Sequence, residues 1–428
     1  MIDADVVCVG FGPSNVALAV ALEESHPGIQ AIFLESREGP YWQPGMLLDG
    51  SDIQNNPLRD LITPVNPRSR YSFVNFLHET GRFFRYLNLG LHYPLRREYA
   101  EYVRWVASNV KADVRYDTRV TAVEQDTEDS LAVVRTSDGG SLRTQAVVVA
   151  PGRTPHIPAP FTTVDNSRVR HFTEYLAAVD GIANLPSPRI AVVGGSQSAV
   201  ELLLDLRPRF PRAQVHGVVR GFGFRQKDTS PFMDEVYFPE FVDYYYAAPD
   251  ESKRALNADL RYTNYSAADG DVINRLYLQL HEDRLSGIQH TTVHRCSEVL
   301  SCEERQQGIR LELKDPHTGD REALDVDLVV LATGFRDLGA EDCGAREFLP
   351  ALLDSIRDAV AVTEGGRAKV SRDYRLELAG AEAPLIYMNG LCETTHGMGD
   401  AGSFSLLALR AREIAGSLAS RLTSLEPR

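Results

Sequence analysis

The stretch Val6-Val7-Cys8-Val9-Gly10-Phe11-Gly12-Pro13-Ser14-Asn15 has the residue types and order that hold a phosphate. Small apolar residues read as a buried parallel strand, and the glycines permit a tight turn. Val16, Leu18, Ala19, Val20 and Leu22 then continue as a helix ending near Pro27. A strand that runs into a helix N-terminus aims free N–H groups and a positive dipole end at one point, which suits a pyrophosphate. Glu35 closes a second strand, Ala31-Ile32-Phe33-Leu34, where a carboxylate takes the hydroxyls of a ribose. The third glycine of the usual motif is missing, since Asn15 holds the sixth position. The pattern restarts beyond Pro186-Ser187-Pro188. Ile190 to Val193 is a strand, Gly194-Gly195-Ser196-Gln197-Ser198-Ala199 a turn, and Val200 to Leu206 a helix. The next strand, Gln214 to Val219, ends on Arg220 where Glu35 stood in the first unit. A cation there suits the 2′-phosphate of NADP; a surface arginine after a strand is the alternative. The sequence therefore predicts two dinucleotide sites of different ribose chemistry.

The elements around these turns make an α/β chain of more than one domain. A length of 428 residues exceeds what one core usually holds. A net charge of −14, with no run of Lys or Arg, argues against nucleic acid and weakly against an anionic membrane surface. The five cysteines, Cys8, Cys296, Cys302, Cys343 and Cys392, form no C-x-x-C, which speaks against a redox disulfide or a zinc cluster, so no metal is expected. Their low, odd number and the absence of a leader before the first strand predict a cytoplasmic location.

Between the two units, Tyr41-Trp42-Gln43-Pro44-Gly45-Met46-Leu47 and Gln54 to Leu61 lead through Asn66-Pro67-Arg68-Ser69 to the aromatic run Tyr71 to Leu77. Composition alone suits an irregular loop with a packed aromatic end; its place after the second strand, where the ligand crevice lies in such folds, favours a cover over that crevice. Tyr99, Tyr102, Val103 and Val106 recur at helical spacing behind Arg96, which stands at the helix start as a candidate for an anion. Residues 113 to 150 read as a β-meander ending Ala146 to Ala150, and Leu331-Ala332-Thr333-Gly334 closes a second apolar strand in the same way. Paired Ala-x-Gly strand ends of this kind mark two-dinucleotide flavoproteins. The expected division is a first dinucleotide domain from 1–185 and 326–428, a second from 186–225 and 291–325, and a small, partly helical insertion from 226–290. A Gly-rich turn, Gly397 to Ser403, feeds a final apolar helix, Phe404 to Leu418.

Gly10 to Asn15, Trp42 with Gly45-Met46, Gln54 to Asp60, Asn66 to Phe73, Thr263-Asn264-Tyr265-Ser266 and Thr395-His396-Gly397 together resemble the N-hydroxylating flavoprotein monooxygenases. These are the ornithine, lysine and diamine N-hydroxylases of siderophore and natural-product pathways. The likeness spans nearly the whole chain. It implies two Rossmann-like domains for FAD and NADPH, a small, mainly helical substrate domain, and a homotetramer. The implied reaction passes the distal oxygen of a C4a-hydroperoxyflavin, formed from O₂, to a small-molecule amine. The flavin site would comprise Gly10, Gly12, Pro13, Asn15, Glu35, Trp42, Met46 and Gln54, with Thr333, Gly334 and Asp400. Gly194, Ser196, Gln197, Ser198 and Arg220 would hold NADPH. Asn264, Gln54 and Arg96 are the implied catalytic positions; Arg59, Asp234, Asn264 and Ser403 would meet the substrate.

Three positions depart from the family pattern. Arg59 replaces a lysine that reads the substrate carboxylate, Asp234 replaces an asparagine at the same end, and Ser196 replaces the third glycine of the second turn. Arginine offers a planar fork to a carboxylate or phosphonate, whereas aspartate favours a cation or neutralises Arg59. Another class B flavin monooxygenase is the alternative. His171-Phe172-Thr173 keeps a fragment of the Phe-x-Gly-x-x-x-His motif of the Baeyer–Villiger enzymes but lacks its Phe-x-Gly. A nucleotide sensor without turnover would have no use for the Trp42–Phe73 cover. The scattered cysteines exclude a disulfide reductase.

Overall fold

The computed structural model describes residues 2–126, 130–164, 167–336, 338, 349–364, 366–380 and 383–425; Cys343 lies outside them. The chain builds one mixed and one parallel sheet, each fed by one of the glycine turns. The first orders its strands Arg375–Leu376, Leu385–Met388, Ser141–Val149, Ala4–Val9, Ala31–Leu34, Asp113–Arg115. Ala4–Val9 sits mid-sheet, with Val6 opposite both Ala31 and Ala146. Its unbroken apolar run is what a strand covered on both faces requires, and Val6, Val7 and Cys8 are wholly buried. The helix Pro13–Ser25 packs beside the C-terminal helix Leu407–Leu425.

The meander expected over 113 to 150 is only partly one. Asp113–Arg115 pairs in parallel with Ala31–Leu34 as the edge of the main sheet. Val120–Gln125 and Ala132–Thr136 form an antiparallel hairpin on the start of Ser141–Val149, whose end runs parallel to Ala4–Val9. One long strand thus serves both pairings, and no local pattern reveals where it changes partner.

The second sheet runs Thr291–His294, Gln214–Val218, Arg189–Val193, Leu328–Leu331, Val169–His171, all parallel. This corrects the expected boundaries, because Val169–His171 and Leu328–Leu331 belong to the second sheet and not to the first. Leu328–Leu331 is buried throughout, so it needs neighbours on both sides, and Arg189–Val193 and Val169–His171 supply them. The helix Gly270–Leu285 also leaves the insertion. It is the crossover between two parallel strands, and its Val272 and Leu276 share a core with Val200, Leu203 and Leu206. The opposite face of the sheet is covered by the antiparallel strands Glu298–Arg305, Gly308–Lys314 and Arg321–Val326. The rest of the insertion is mainly helical, with Pro239–Ala247, Asp250–Asp259 and Arg261–Asn264. The final helix begins at Leu407, three residues later than expected, because the chain before it is used in a turn. Among the described residues no helix is long and apolar enough to cross a membrane.

Two buried histidines set a pH limit on this fold. His396 is stacked on Tyr374 with ring centroids 4.0 Å apart, and burial pushes its imidazole down to about 4. His171 is bonded to the Gly334 carbonyl at 2.9 Å and is likewise pushed by burial to about 4. Both rings are neutral when folded, whereas unfolded histidine titrates near 6.5, so the unfolded chain binds more protons between those values. Stability should therefore hold above pH 6.5 and fall as pH drops toward 4, by about 2 kcal/mol per histidine at pH 5. Urea unfolding at pH 7 and pH 5 measures this. Replacing His396 by Gln should flatten the dependence.

Candidate active site

Both glycine turns close in the same way. A Cβ on Gly10 would stand 2.4 Å from the Ala150 carbonyl oxygen, and one on Gly194 would stand 2.3 Å from that of Ala332. Each turn is therefore pressed onto the neighbouring strand end, and both glycines adopt positive φ, 83° and 149°. Gly12 differs: it caps the Pro13–Ser25 helix without a side-chain bond, and a Cβ there would meet nothing within 4 Å. Its missing side chain leaves room outside the protein, at a helix N-terminus whose first N–H groups face out. That is the cradle a pyrophosphate fits. Ser196 caps the Gln197–Arg209 helix, again with no side-chain bond, and Ser198 lies in its first turn. The Glu35 carboxylate accepts from the Phe11 N–H at 2.7 Å and the Arg37 N–H at 3.0 Å, which holds it at the first turn. Arg220 is exposed, with no ion pair among the described residues. Thr333 bonds the His156 carbonyl, so Thr333 and Gly334 tie the second sheet's strand end to the segment leaving the first.

Asn15 and Asp400, expected to touch cofactor, are buried beneath the first turn instead. The Asn15 amide donates to the carbonyls of Val9 at 3.1 Å and Gly10 at 2.7 Å, and its oxygen accepts from Asn389 at 3.0 Å. Arg410 donates to Asn389 at 2.7 Å, to the Ser14 hydroxyl at 3.0 Å and to the Asp400 carboxylate at 2.8 Å. The other Asp400 oxygen accepts the Cys392 N–H at 2.7 Å. Asp400 is 1 % exposed and Arg410 2 %. Their charges are spent on each other and on the shape of the loop. Arg410 and Asn389 escaped sequence reasoning. The one available signal was a lone arginine on the apolar face that carries Leu407, Ile414 and Leu418, since such a charge demands a buried partner.

Arg96 also lies elsewhere than expected. It is buried and paired with Glu201 at 2.9 Å, and it donates to the carbonyls of Met46 at 3.0 Å and Asp52 at 3.1 Å. This ion pair clamps the first unit to the helix of the second turn. Glu201 also accepts from Gln197 at 3.0 Å, and the Gln197 oxygen accepts the Asp269 N–H at 2.8 Å. Asp269 accepts from the Gln54 amide, whose oxygen accepts from Lys227 at 2.8 Å. The next residue, Asn55, accepts from Ser405 at 2.8 Å. Gln54 and Asn55 therefore stand between the second nucleotide turn and the C-terminal glycine turn. Burial raises the carboxyls of both Asp269 and Asp52 above their usual range.

The remaining expected residues gather around that C-terminal turn. A Cβ on Gly402 would lie 2.8 Å from the Tyr265 hydroxyl and 2.9 Å from both the Asn264 amide nitrogen and a Glu393 oxygen, so the turn touches the end of the Arg261–Asn264 helix. Ser403 donates to Ser405 at 3.0 Å, and Arg59 reaches Ser405 at 3.5 Å with its guanidinium 5.8 Å from the centre of the Phe238 ring. Tyr93 and Tyr237 report that Arg59 and Asp234 share one neighbourhood. Burial raises both phenols, the Asp234 charge raises them further, and the Arg59 charge opposes it. Among the described residues neither Arg59 nor Asp234 has an ion-pair partner, so they do not neutralise each other by direct contact. Glu393, which sequence reasoning passed over, lies 3.7 Å from Arg153 and accepts the Tyr265 hydroxyl.

The family model of L-lysine 6-monooxygenase/L-ornithine 5-monooxygenase matches residues 3–337. The chain belongs to this family. The L-ornithine N(5)-monooxygenase of Burkholderia cepacia is 36% identical over 409 residues, covering 92% of this chain and 89% of the relative. Among solved structures, the ornithine N-hydroxylase of Kutzneria sp. 744, described with reduced FAD, NADP⁺ and L-ornithine, is 33% identical with a TM-score of 0.90. It covers 98% of this chain and 99% of that one. The L-lysine 6-monooxygenase of Pseudomonas syringae is 33% identical with a TM-score of 0.86, covering 98% and 99%. In this N-monooxygenase Trp42 packs edge-on against Phe404 at 5.0 Å and Tyr99 at 6.2 Å, so the cover and the C-terminal turn are one aromatic layer. Met46 turns its side chain away into the core of the second unit, where Tyr175 and Val179 lie. Its backbone carbonyl accepts from Arg96 and so belongs to the clamp between the two units.

Proposed function

We propose that this N-monooxygenase hydroxylates the primary amine of a small molecule whose far end carries an anion, with FAD in the first cradle and NADPH in the second. The balanced reaction is R–NH₂ + O₂ + NADPH + H⁺ → R–NHOH + H₂O + NADP⁺. The flavin, when bound, takes the hydride and activates oxygen. The chain's own residues bind, orient and keep water out. Gly10, Gly12 and the Pro13–Ser25 helix N-terminus would take the FAD pyrophosphate, and Glu35 its ribose. Gly194, Ser196 and Ser198 would take the NADPH pyrophosphate, and Arg220 the 2′-phosphate. Asn264 would present a neutral amide to the reacting nitrogen. That nitrogen must shed a proton from an ammonium whose solution pKa is near 10, which a desolvated site favours. Division into FAD, NADPH and substrate domains, assembly as a homotetramer and a cytoplasmic location belong to the same reading.

The observation that carries the substrate class is the half-buried Arg59, unpaired among the described residues and set against Ser405, whose hydroxyl also accepts from Ser403. A fork of donors held there suits a carboxylate or phosphonate. Asp234, equally unpaired, would take a second cation such as an α-ammonium group. L-ornithine and L-lysine carry both. A panel of L-ornithine, L-lysine, an aminoalkylphosphonate and a plain diamine, scored for hydroxylamine product per NADPH, tests the reading. Anionic amines should give coupled turnover and the diamine little. Efficient turnover of the diamine alone would transfer the recognition to Asp234.

Arg220→Ala should raise KM for NADPH about tenfold, the low end for an exposed charge-assisted bond to phosphate, and leave KM for NADH unchanged. Steady-state kinetics with both nucleotides decide it. An equal change for both would remove Arg220 from the 2′-phosphate.

A further inference from the structure

Lys227 is a cation at the centre of the site that no part of the reaction uses. Its backbone N–H donates to the Ala268 carbonyl at 2.9 Å, and Gln226 bridges Ala268 in parallel, so its Cα is tied to the segment that carries Asp269. Its side chain is 9 % exposed, stands 3.8 Å from the Asp269 carboxylate and donates to the Gln54 amide oxygen at 2.8 Å. The Gln54 backbone, at a positive φ of 52°, is held separately by its N–H donating to the Asp52 carboxylate at 2.9 Å. A primary amide has two donors and two lone pairs. Lys227 occupies one lone pair, and Asp269 one N–H. Both partners read the amide in the same sense, so the amide cannot rotate by half a turn without setting its NH₂ against an ammonium and its oxygen against a carboxylate.

We propose that Lys227 is a positioning residue that locks the Gln54 amide in one orientation, leaving one N–H and one lone pair in fixed directions toward the flavin and substrate. The inference rests on the functional reading above, in which Gln54 lies beside the flavin. A locked amide favours oxygen transfer to the amine over the competing release, NADPH + H⁺ + O₂ → NADP⁺ + H₂O₂. The groups facing the pair from the surrounding elements are Asp52, Asp269, Asp271, Glu201, Arg96 and Tyr93. Burial raises the Asp269 carboxyl and the Lys227 charge opposes that, so loss of the cation moves its titration upward.

The test compares K227M, K227Q and K227R with the wild type. In K227M and K227Q, FAD content should stay near that of the wild type, because Lys227 bonds Gln54 and the Ala268–Asp269 segment and not the first glycine turn. The visible spectrum of bound FAD, recorded without NADPH, should shift. Product per NADPH should fall about tenfold, within the range that a misplaced polar group costs, and its acid limb should move to higher pH. K227R should restore most of the coupling. Unchanged spectrum and coupling in both neutral variants overturn the proposal. So does a rise in KM for NADPH with coupling intact, which would make Lys227 a nucleotide contact. A wild type that hydroxylates no amine overturns the functional reading instead, and the flavin spectra still decide on Lys227.

Discussion

Arg410→Met should yield a protein that retains little FAD and unfolds far more readily than the wild type. The guanidinium is 2 % exposed and joins Asp400, Asn389 and the Ser14 hydroxyl. Methionine matches its length but strands the Asp400 carboxylate in an apolar interior. Breaking one side of a buried pair costs about 3–5 kcal/mol, a large share of a total stability of about 5–15 kcal/mol. The second effect is geometric. Without Arg410, Asn389 loses the bond that orients it toward Asn15, and Asn15 is what draws the carbonyls of Val9 and Gly10 into place. The cradle of the first helix N-terminus would then be built wrongly even where the protein folds. Urea unfolding and FAD content after gel filtration measure the two effects separately. Adding Asp400→Asn should recover part of the stability, since the stranded charge is gone while an acceptor for the Cys392 N–H remains. Full retention of FAD in Arg410→Met would mean that the network does not shape the cradle.

Arg59→Ala should raise KM for the preferred amine about 100-fold, the scale of a charge-assisted, two-point hydrogen bond lost from a half-buried site. NADPH oxidation in the absence of amine should stay near wild type, because Arg59 reaches Ser405 and Phe238 but no part of either nucleotide turn. Arg59→Lys keeps the charge and loses the fork, so its KM should rise about tenfold. If the lysine variant matches the wild type, the anion is read as a point charge and the planar fork is not used. If alanine does too, Arg59 does not touch the substrate and Asp234 becomes the residue to vary.

Much of this protein was legible before any contact was known, and the reason is the local character of the chemistry. A strand, a glycine turn and a helix start lie within one short stretch, so Gly10 to Asn15 and Gly194 to Ala199 announce their cradles without help from the rest of the chain. The residue closing the next strand, Glu35 in one unit and Arg220 in the other, is placed by the same local geometry. Sequence pattern erred where one strand or side chain serves two masters. Leu328–Leu331 read as the start of the first domain's returning part because it closes as Ala146 to Ala150 does, and only strand pairing assigns it to the second sheet.

By itself, then, the sequence determined that two dinucleotides of different ribose chemistry bind, which family the chain resembles and where its substrate positions depart from that family. The tertiary structure alone decided which polar residues face the site and which support it. Arg96, Asn15 and Asp400 have side chains that any reading would assign to ligands, yet Glu201, Asn389 and Arg410 occupy them from 105, 374 and 10 residues away. Lys227 carried no signal at all until the fold set it 2.8 Å from Gln54, 173 residues distant. The physical reason is that a buried charge or amide must find a partner, and sequence states that need without naming the residue that meets it. At the glycine turns the partner is a few residues away or is the ligand; behind them it is whatever the packing of two sheets brings near.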